Sequence, residues 1–371
     1  MNILFISTLY PAYEGHSVQE ITYALHNFVK EWNKSNNVIV FRPYFIPSKK
    51  KTSFPSEFNI DNVTIYNVPV YKIPKSDIYF TKNIIKKIKS IGFIPEKVIC
   101  HHSSSFLWGY QIALKYKSDF IVGIHNSDLR KVSKKYLKPF TYSKKIACRS
   151  KSIQDRFIRM YPQFREKTFI ANSGINSDEI ESRDFFEKKI ESWKDKVVIN
   201  FTTVSLLQKG KNIDINIRAF YELKYNNWSY TIIGDGEERE YLKKLVSELK
   251  LSGKINFLGM KERNEVLEYL KKSDVFIMIS APETFGLAYL EAMAKANIVI
   301  GAKGWGIDGV IEDHKNGFLV EPRNVEATVS VLNNLFRNGS HEAKDILTNT
   351  YYTINDYTNE KMAKIYLDNI I

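Results

Sequence analysis

Two glutamates eight positions apart, Glu283 and Glu291, bound the stretch Glu283-Thr-Phe-Gly-Leu-Ala-Tyr-Leu-Glu291. A strand-like apolar run, Val275 to Ile279, precedes it, and a helix is expected to open within it and continue to about Lys295. Pro282 and Gly286 mark the turn between the two. Glu283 then sits just before the helix, where the amides of Phe285, Gly286 and Leu287 have no intrahelical acceptor. Such a helix start suits an anion, and Gly286 lets a phosphate come close to the backbone. Glu291 is expected roughly two turns into the helix, so both carboxylates can face one cleft from different heights. A carboxylate is a poor phosphate ligand but a good acceptor for sugar or ribose hydroxyls. A plainer reading also fits: one Glu favoured by the helix dipole and another on the surface.

The rest of the chain alternates strand-like and helix-like segments that could carry such a site. Asn2 to Thr8 reads as a strand, followed by a loop holding Gly15 and a helix from about Val18 to Trp32. Strand, glycine loop and helix at the start of an α/β chain form the usual backbone phosphate cradle, although a single glycine makes the motif weak. Strands are expected at Val38–Phe41, Val63–Tyr66 and Val98–His101. A basic helix from Tyr79 to Ile91 carries isoleucines 84, 85, 88 and 91 among Lys82, Lys86, Lys87 and Lys89. That pattern suits a helix packed on a sheet or one touching a membrane surface. After a helix from Phe106 to Lys117, strand Asp119–Gly123 ends at His125. Ligands of open α/β sheets bind beyond the carboxyl ends of strands, which favours His125 over His101 and His102 as a site histidine. The three histidines could also hold a metal, but no ligand spacing supports it. A further strand–helix–strand unit spans Lys145 to Ala171, and the charged residues 177–193 are expected to link two domains. From Val197 the rhythm restarts with the loop Ser205–Lys211, a helix from Asn212 to Tyr225, the turn Gly234-Asp-Gly236 and strands at Ile255–Leu258 and Ile298–Ile300. A final helix is expected over about Asn359 to Ile371.

Composition narrows the function class. A chain of 371 residues with 44% hydrophobic and 13% aromatic content suits two globular domains. No apolar run approaches a membrane span, and Met1 to Tyr10 lacks a signal-peptide pattern, so it reads as a strand. Cys100 and Cys148 fall in strand-like runs and read as reduced core residues of a cytoplasmic protein. Lys and Arg exceed Asp and Glu by 15 over residues 1–180, whereas the remainder carries a net −2. A basic first half suits an anionic partner such as nucleic acid, a bilayer surface or a phosphorylated acceptor, or is simply a solvated face.

Taken together, these segments resemble the retaining glycosyltransferases of family 4, the group 1 set with the GT-B fold. Glu283 to Glu291 is similar to that family's Glu-x7-Glu signature. Gly234-Asp-Gly236, Phe257-Leu-Gly259, Lys211 ahead of a helix, Asn172-Ser-Gly174 and Ile311 to Val320 match it as well. The likeness covers nearly the whole chain and is most specific from Phe201 to Pro322. It implies an α/β protein with two doubly wound Rossmann-like domains facing across a cleft. The expected boundaries are 1–178 with the helix 357–371 for the acceptor-side domain, and 179–356 for the donor domain.

The resemblance also implies roles. Lys211 pairs with the donor diphosphate, Glu291 holds the ribose and Glu283 holds hydroxyls of the transferred sugar. The amides of Phe285, Gly286 and Leu287 bind phosphate or sugar oxygens. Gly15 admits the diphosphate, and His125 lies near the sugar. Ser205, Lys209, Gly234, Gly236 and Met260 complete the expected donor site. Leu206 stands where the family usually has an Arg, which bears on donor affinity and leaves Lys209 as the nearest replacement cation.

The implied reaction is transfer from a UDP- or GDP-sugar to an acceptor hydroxyl with retention, in bacterial cell-surface polysaccharide or glycolipid synthesis. The acceptor is lipid-linked or a saccharide. No Asp-x-Asp motif occurs, so no metal or other cofactor is expected, and nucleic acid is not an expected partner. The expected location is the cytoplasm, on or near an anionic inner membrane face. A sugar-nucleotide 2-epimerase or a non-catalytic binding subunit of the same architecture are the other readings.

Overall fold

The computed structural model describes residues 1–13, 15, 23–45, 54–70 and 81–371. The expected helix start at Val18 and the Tyr79 start of the basic helix lie outside the described residues. The chain packs as two units, Met1–Gly174 with Asn359–Ile371, and Ile175–Thr358.

The first unit is built on strands β1 (Asn2–Ser7), β2 (Asn37–Phe45), β3 (Glu57–Ile60), β4 (Val63–Val70), β5 (Lys97–His101), β6 (Asp119–Ile124), β7 (Lys145–Cys148) and β8 (Thr168–Ile170). Its helices are α1 (Ala24–Asn33), α2 (Lys82–Ser90), α3 (Ser103–Tyr116), α4 (Leu137–Tyr142) and α5 (Lys151–Met160), joined by the C-terminal helix Asn359–Ile370. The sheet order is β3-β4-β2-β1-β5-β6-β7-β8. Among the described residues every pairing is parallel except β3 with β4, a hairpin turned by Asp61 and Asn62 in left-handed conformation. The order in which successive strands are added reverses between β1 and β5, and the carboxyl ends of these two strands, Ser7 and His101, lie side by side.

Helix α2 answers the ambiguity of its sequence. Ile84 and Ile88 are fully buried in the first core, while Lys82, Lys86 and Lys89 face out. Those two isoleucines therefore serve the sheet, and Ile85 and Ile91 are half-buried against the same core.

The second unit begins with helix α6 (Arg183–Ser192), within the stretch expected to be a linker. Ser182 caps it, its hydroxyl accepting from the Phe185 amide at 3.3 Å, and Phe186 is buried against the core. The segment is therefore structured, because two aromatics inside a charged stretch suffice to anchor a short capped helix. Then follow β9 (Ile199–Val204), α7 (Ile213–Glu222), β10 (Trp228–Ile233), α8 (Arg239–Glu248), β11 (Ile255–Gly259), α9 (Arg263–Lys272), β12 (Val275–Met278), α10 (Leu287–Ala294), β13 (Ile298–Ala302), β14 (Phe318–Val320) and α11 (Val325–Asp356). Helix α12 (Asn359–Ile370) closes the chain in the first unit. The second sheet is wholly parallel, in the order β11-β10-β9-β12-β13-β14. Its reversal point lies between β9 and β12, which brings the loops 205–211 and 279–286 together at one sheet end. Helix α10 is apolar almost all round, with Tyr289, Leu290, Ala292 and Met293 buried, so the site helix is anchored as core. Burying a side chain such as Leu290 contributes about 1.5–3 kcal/mol.

Candidate active site

Loop 205–211 and loop 279–286 are stitched through their backbones. The Ala281 amide donates to the Gly210 carbonyl at 2.8 Å, and buried Asn212 donates its Nδ2 to the Ile279 carbonyl at 2.7 Å. This fixes Lys211 opposite Glu283, with Nζ 2.7 Å from Oε2. The Ser280 hydroxyl donates to the same oxygen at 3.2 Å, and the Thr284 amide donates to Oε1 at 3.0 Å. Side-chain exposures of 22% for Lys211 and 16% for Glu283 keep both reachable from solvent while shielding the pair from full screening.

The helix behind Glu283 starts later than the sequence suggested. Gly286 has a φ of +90°, a left-handed conformation in which an added Cβ would lie 2.6 Å from the Tyr289 ring. The chain therefore completes a turn before helical geometry begins at Leu287, and Glu291 lies about one turn into α10 instead of two. Among the described residues the amides of Phe285, Gly286 and Leu287 have no hydrogen-bond acceptor, and they follow Glu283 directly in the loop that leads into α10.

Glu291 is buried, and its Oε1 accepts from Arg263 NH1. Arg263 also gives its NH2 to Glu179 at 2.8 Å. Burial opposes the Arg263 charge, but Glu291 and then Glu179 outweigh it and raise its pKa above the ordinary guanidinium value. Sequence spacing offered no sign of this arginine.

The other expected donor residues occupy several settings. Lys209 is exposed in the turn before Lys211, and Met260 is 51% exposed just after β11. Ser205 has its Oγ buried with no hydrogen-bond partner among the described residues. Gly234 and Gly236 have their amides engaged, with the Gly259 carbonyl at 2.8 Å and Asp235 Oδ1 at 2.8 Å. A Cβ at Gly234 would fall 1.9 Å from the Ser205 carbonyl oxygen, so this glycine is needed for loop packing. Gly15 has a φ of +79° and open space where a Cβ would stand.

In the first unit, His125 follows β6 and is buried, its amide donating to Asp128 Oδ2 at 2.8 Å. Its Nε2 lies 3.1 Å from His101 Nδ1, and His101 Nε2 lies 3.0 Å from the Tyr366 hydroxyl on α12. His101, less favoured by the strand-end argument, connects His125 to the last helix. Arg149, at the end of β7, donates to the Ala171 carbonyl at 2.8 Å and to the Ser173 hydroxyl. Burial, then Arg149, then His102 push the His125 pKa well below the ordinary imidazole value. Burial, then His125 and Arg149 do the same to His101. Both rings are therefore neutral near pH 7. Among the described residues no group of three or more His, Cys, Asp or Glu is placed to hold a metal ion, and no helix is long and apolar enough to cross a membrane.

Alpha-monoglucosyldiacylglycerol synthase of Acholeplasma laidlawii is 28% identical over 299 residues, covering 72% of this chain and 74% of that protein. A glycosyltransferase of Methanocaldococcus jannaschii is 25% identical over 296 residues, covering 74% of this chain and 75% of its own. The crystal structure of Anabaena HepE in complex with UDP superposes with a TM-score of 0.73 at 17% identity, over 99% of both chains. The fold is that of the GT-B glycosyltransferases, and residues 182–351 match the family of glycosyl transferases group 1.

Proposed function

We propose that this chain transfers a sugar from a nucleoside-diphosphate sugar, UDP- or GDP-linked, to an acceptor hydroxyl with retention of anomeric configuration. The observation that supports it best is the Lys211–Glu283 pair set against the unpartnered amides of Phe285, Gly286 and Leu287. An incoming diphosphate competes with Glu283 for Lys211. Once Lys211 and the amides hold the phosphates, they stabilise the charge that grows on the leaving diphosphate as the glycosidic bond breaks. Glu283, released from Lys211, accepts from hydroxyls of the sugar and fixes the anomeric carbon for attack on the face being vacated. Glu291 takes the ribose, and His125, neutral and at a strand end, donates to or accepts from the sugar. The carboxylates and the lysine supply positioning and charge, so the reaction in this reading requires no metal.

The basic first unit receives the acceptor, a saccharide or a lipid-linked one, for polysaccharide or glycolipid assembly. Residues 1–180, which contain most of that unit, carry a net +15, and the unit sits peripherally on the anionic cytoplasmic face of the cell membrane. The test is a screen of UDP- and GDP-sugars for thermal stabilisation, followed by transfer to saccharide and lipid acceptors and NMR assignment of the product anomer. The expected product keeps the donor's configuration. Inversion would overturn the mechanism, and no response to any nucleotide sugar would overturn the reaction class.

A further inference from the structure

Arg263 opens α9, directly after the β11 loop, and bridges two carboxylates from distant stretches of chain. NH1 donates to Glu291 Oε1, and NH2 donates to Glu179 Oε2 at 2.8 Å. Glu179 belongs to the short turn Ser177–Glu179 that precedes α6 in the second unit. The two glutamate side chains are only 11% and 14% exposed, while Arg263 is 53% exposed. A carboxylate this enclosed needs a fixed countercharge, and the planar guanidinium fork sets the orientation of what it holds. Only Oε1 of Glu291 is used. Among the described residues Oε2 has no hydrogen-bond partner, which leaves one oriented acceptor on a charged group.

The geometry points to Arg263 as a specificity-determining residue: by holding Glu291 Oε1 and tying it to Glu179, it aims Oε2 at the ribose hydroxyls of the bound nucleotide. This rests on the reading of Glu291 as the ribose residue. Without the clamp the carboxylate rotates, and the preference for a ribonucleotide over a nucleotide lacking both ribose hydroxyls is lost. A residue that only stabilised the fold would weaken both nucleotides alike.

The test is calorimetric titration of UDP and GDP, each beside its 2′,3′-dideoxy counterpart, into the full chain and into Arg263→Gln, Arg263→Lys, Glu179→Gln and Glu291→Gln. Thermal melts confirm that each variant is folded. The wild-type chain is expected to favour the ribonucleotide by about tenfold or more, as one charge-assisted hydrogen bond provides. Arg263→Gln should bring that ratio close to one by weakening the ribonucleotide alone. Arg263→Lys and Glu179→Gln, each retaining one half of the bridge, should fall between. An unchanged ratio in Arg263→Gln, or equal weakening of both nucleotides, with Glu291→Gln losing the preference, would overturn the role of Arg263 while leaving Glu291 in place. A ratio preserved in Glu291→Gln, or no binding of either ribonucleotide to the wild-type chain, would instead overturn the ribose assignment beneath it.

Discussion

Replacing Glu283 by Gln should separate binding from turnover, with opposite signs. Lys211 Nζ lies 2.7 Å from Glu283 Oε2, and in the proposed reaction a diphosphate breaks that pair to use the lysine. The pair is largely enclosed yet reachable from solvent, so its net worth is on the order of 1 kcal/mol. Gln keeps the size of the side chain, and its amide oxygen can still accept from Ser280 or Thr284. The substitution removes both the competition for Lys211 and the repulsion between a carboxylate and a phosphate. UDP or GDP should therefore bind up to about fivefold more tightly, the equivalent of that 1 kcal/mol. Turnover should fall by a hundredfold or more, on the order expected when a positioned charged group is lost from the reacting centre. Calorimetry with the nucleoside diphosphate gives the first quantity, and steady-state transfer with the screened donor gives the second. Weaker diphosphate binding would show that Glu283 does not compete for Lys211. Undiminished turnover would remove Glu283 from the reaction.

Lys211→Ala should weaken nucleoside diphosphate binding by about tenfold to a hundredfold and lower kcat/KM further, since it loses a charge-assisted phosphate contact; equal kinetics would remove it from the diphosphate site. His125→Ala should reduce kcat by about tenfold or more with donor KM little changed, whereas full activity would leave it a structural residue. His101 and His125 have folded pKa values depressed below their unfolded value of about 6.5, so the unfolded chain binds more protons beneath that pH. Their contribution to stability is present above about pH 6.5 and is lost as pH falls towards the folded values. Denaturant midpoints at pH 7.5 and 5.0 should drop on acidification, and less so in His125→Gln; an identical pH slope in that variant would contradict burial of a neutral ring. Cosedimentation with anionic vesicles at 0.1 M salt should exceed that with neutral vesicles and vanish near 1 M, where the Debye length falls from ~10 Å to ~3 Å. Binding that ignores lipid charge would exclude an electrostatic surface on the first unit.

Strand and helix alternation, the free helix start and the likeness around Glu283 are local properties, so the chain reveals them without its fold. Lys211 and Glu283 are separately legible for that reason. Their meeting at 2.7 Å is not, because it depends on β9 and β12 becoming neighbours where the sheet order reverses. The helix starts later than its sequence suggests because Gly286 adopts a left-handed conformation, with the Tyr289 ring where a Cβ would stand. Residues 177–193 read as a linker because their charges outnumber their apolar residues, although buried Phe186 and a serine cap are enough to hold a helix there. Arg263 and Tyr366 carry no spacing signal at all. Each reaches its partner across the fold, Arg263 to Glu179 and Glu291, Tyr366 to His101. Sequence settles which groups are available and what local geometry they favour; only packing of distant segments decides which carboxylate is clamped, which lysine is already paired and which histidine is kept neutral.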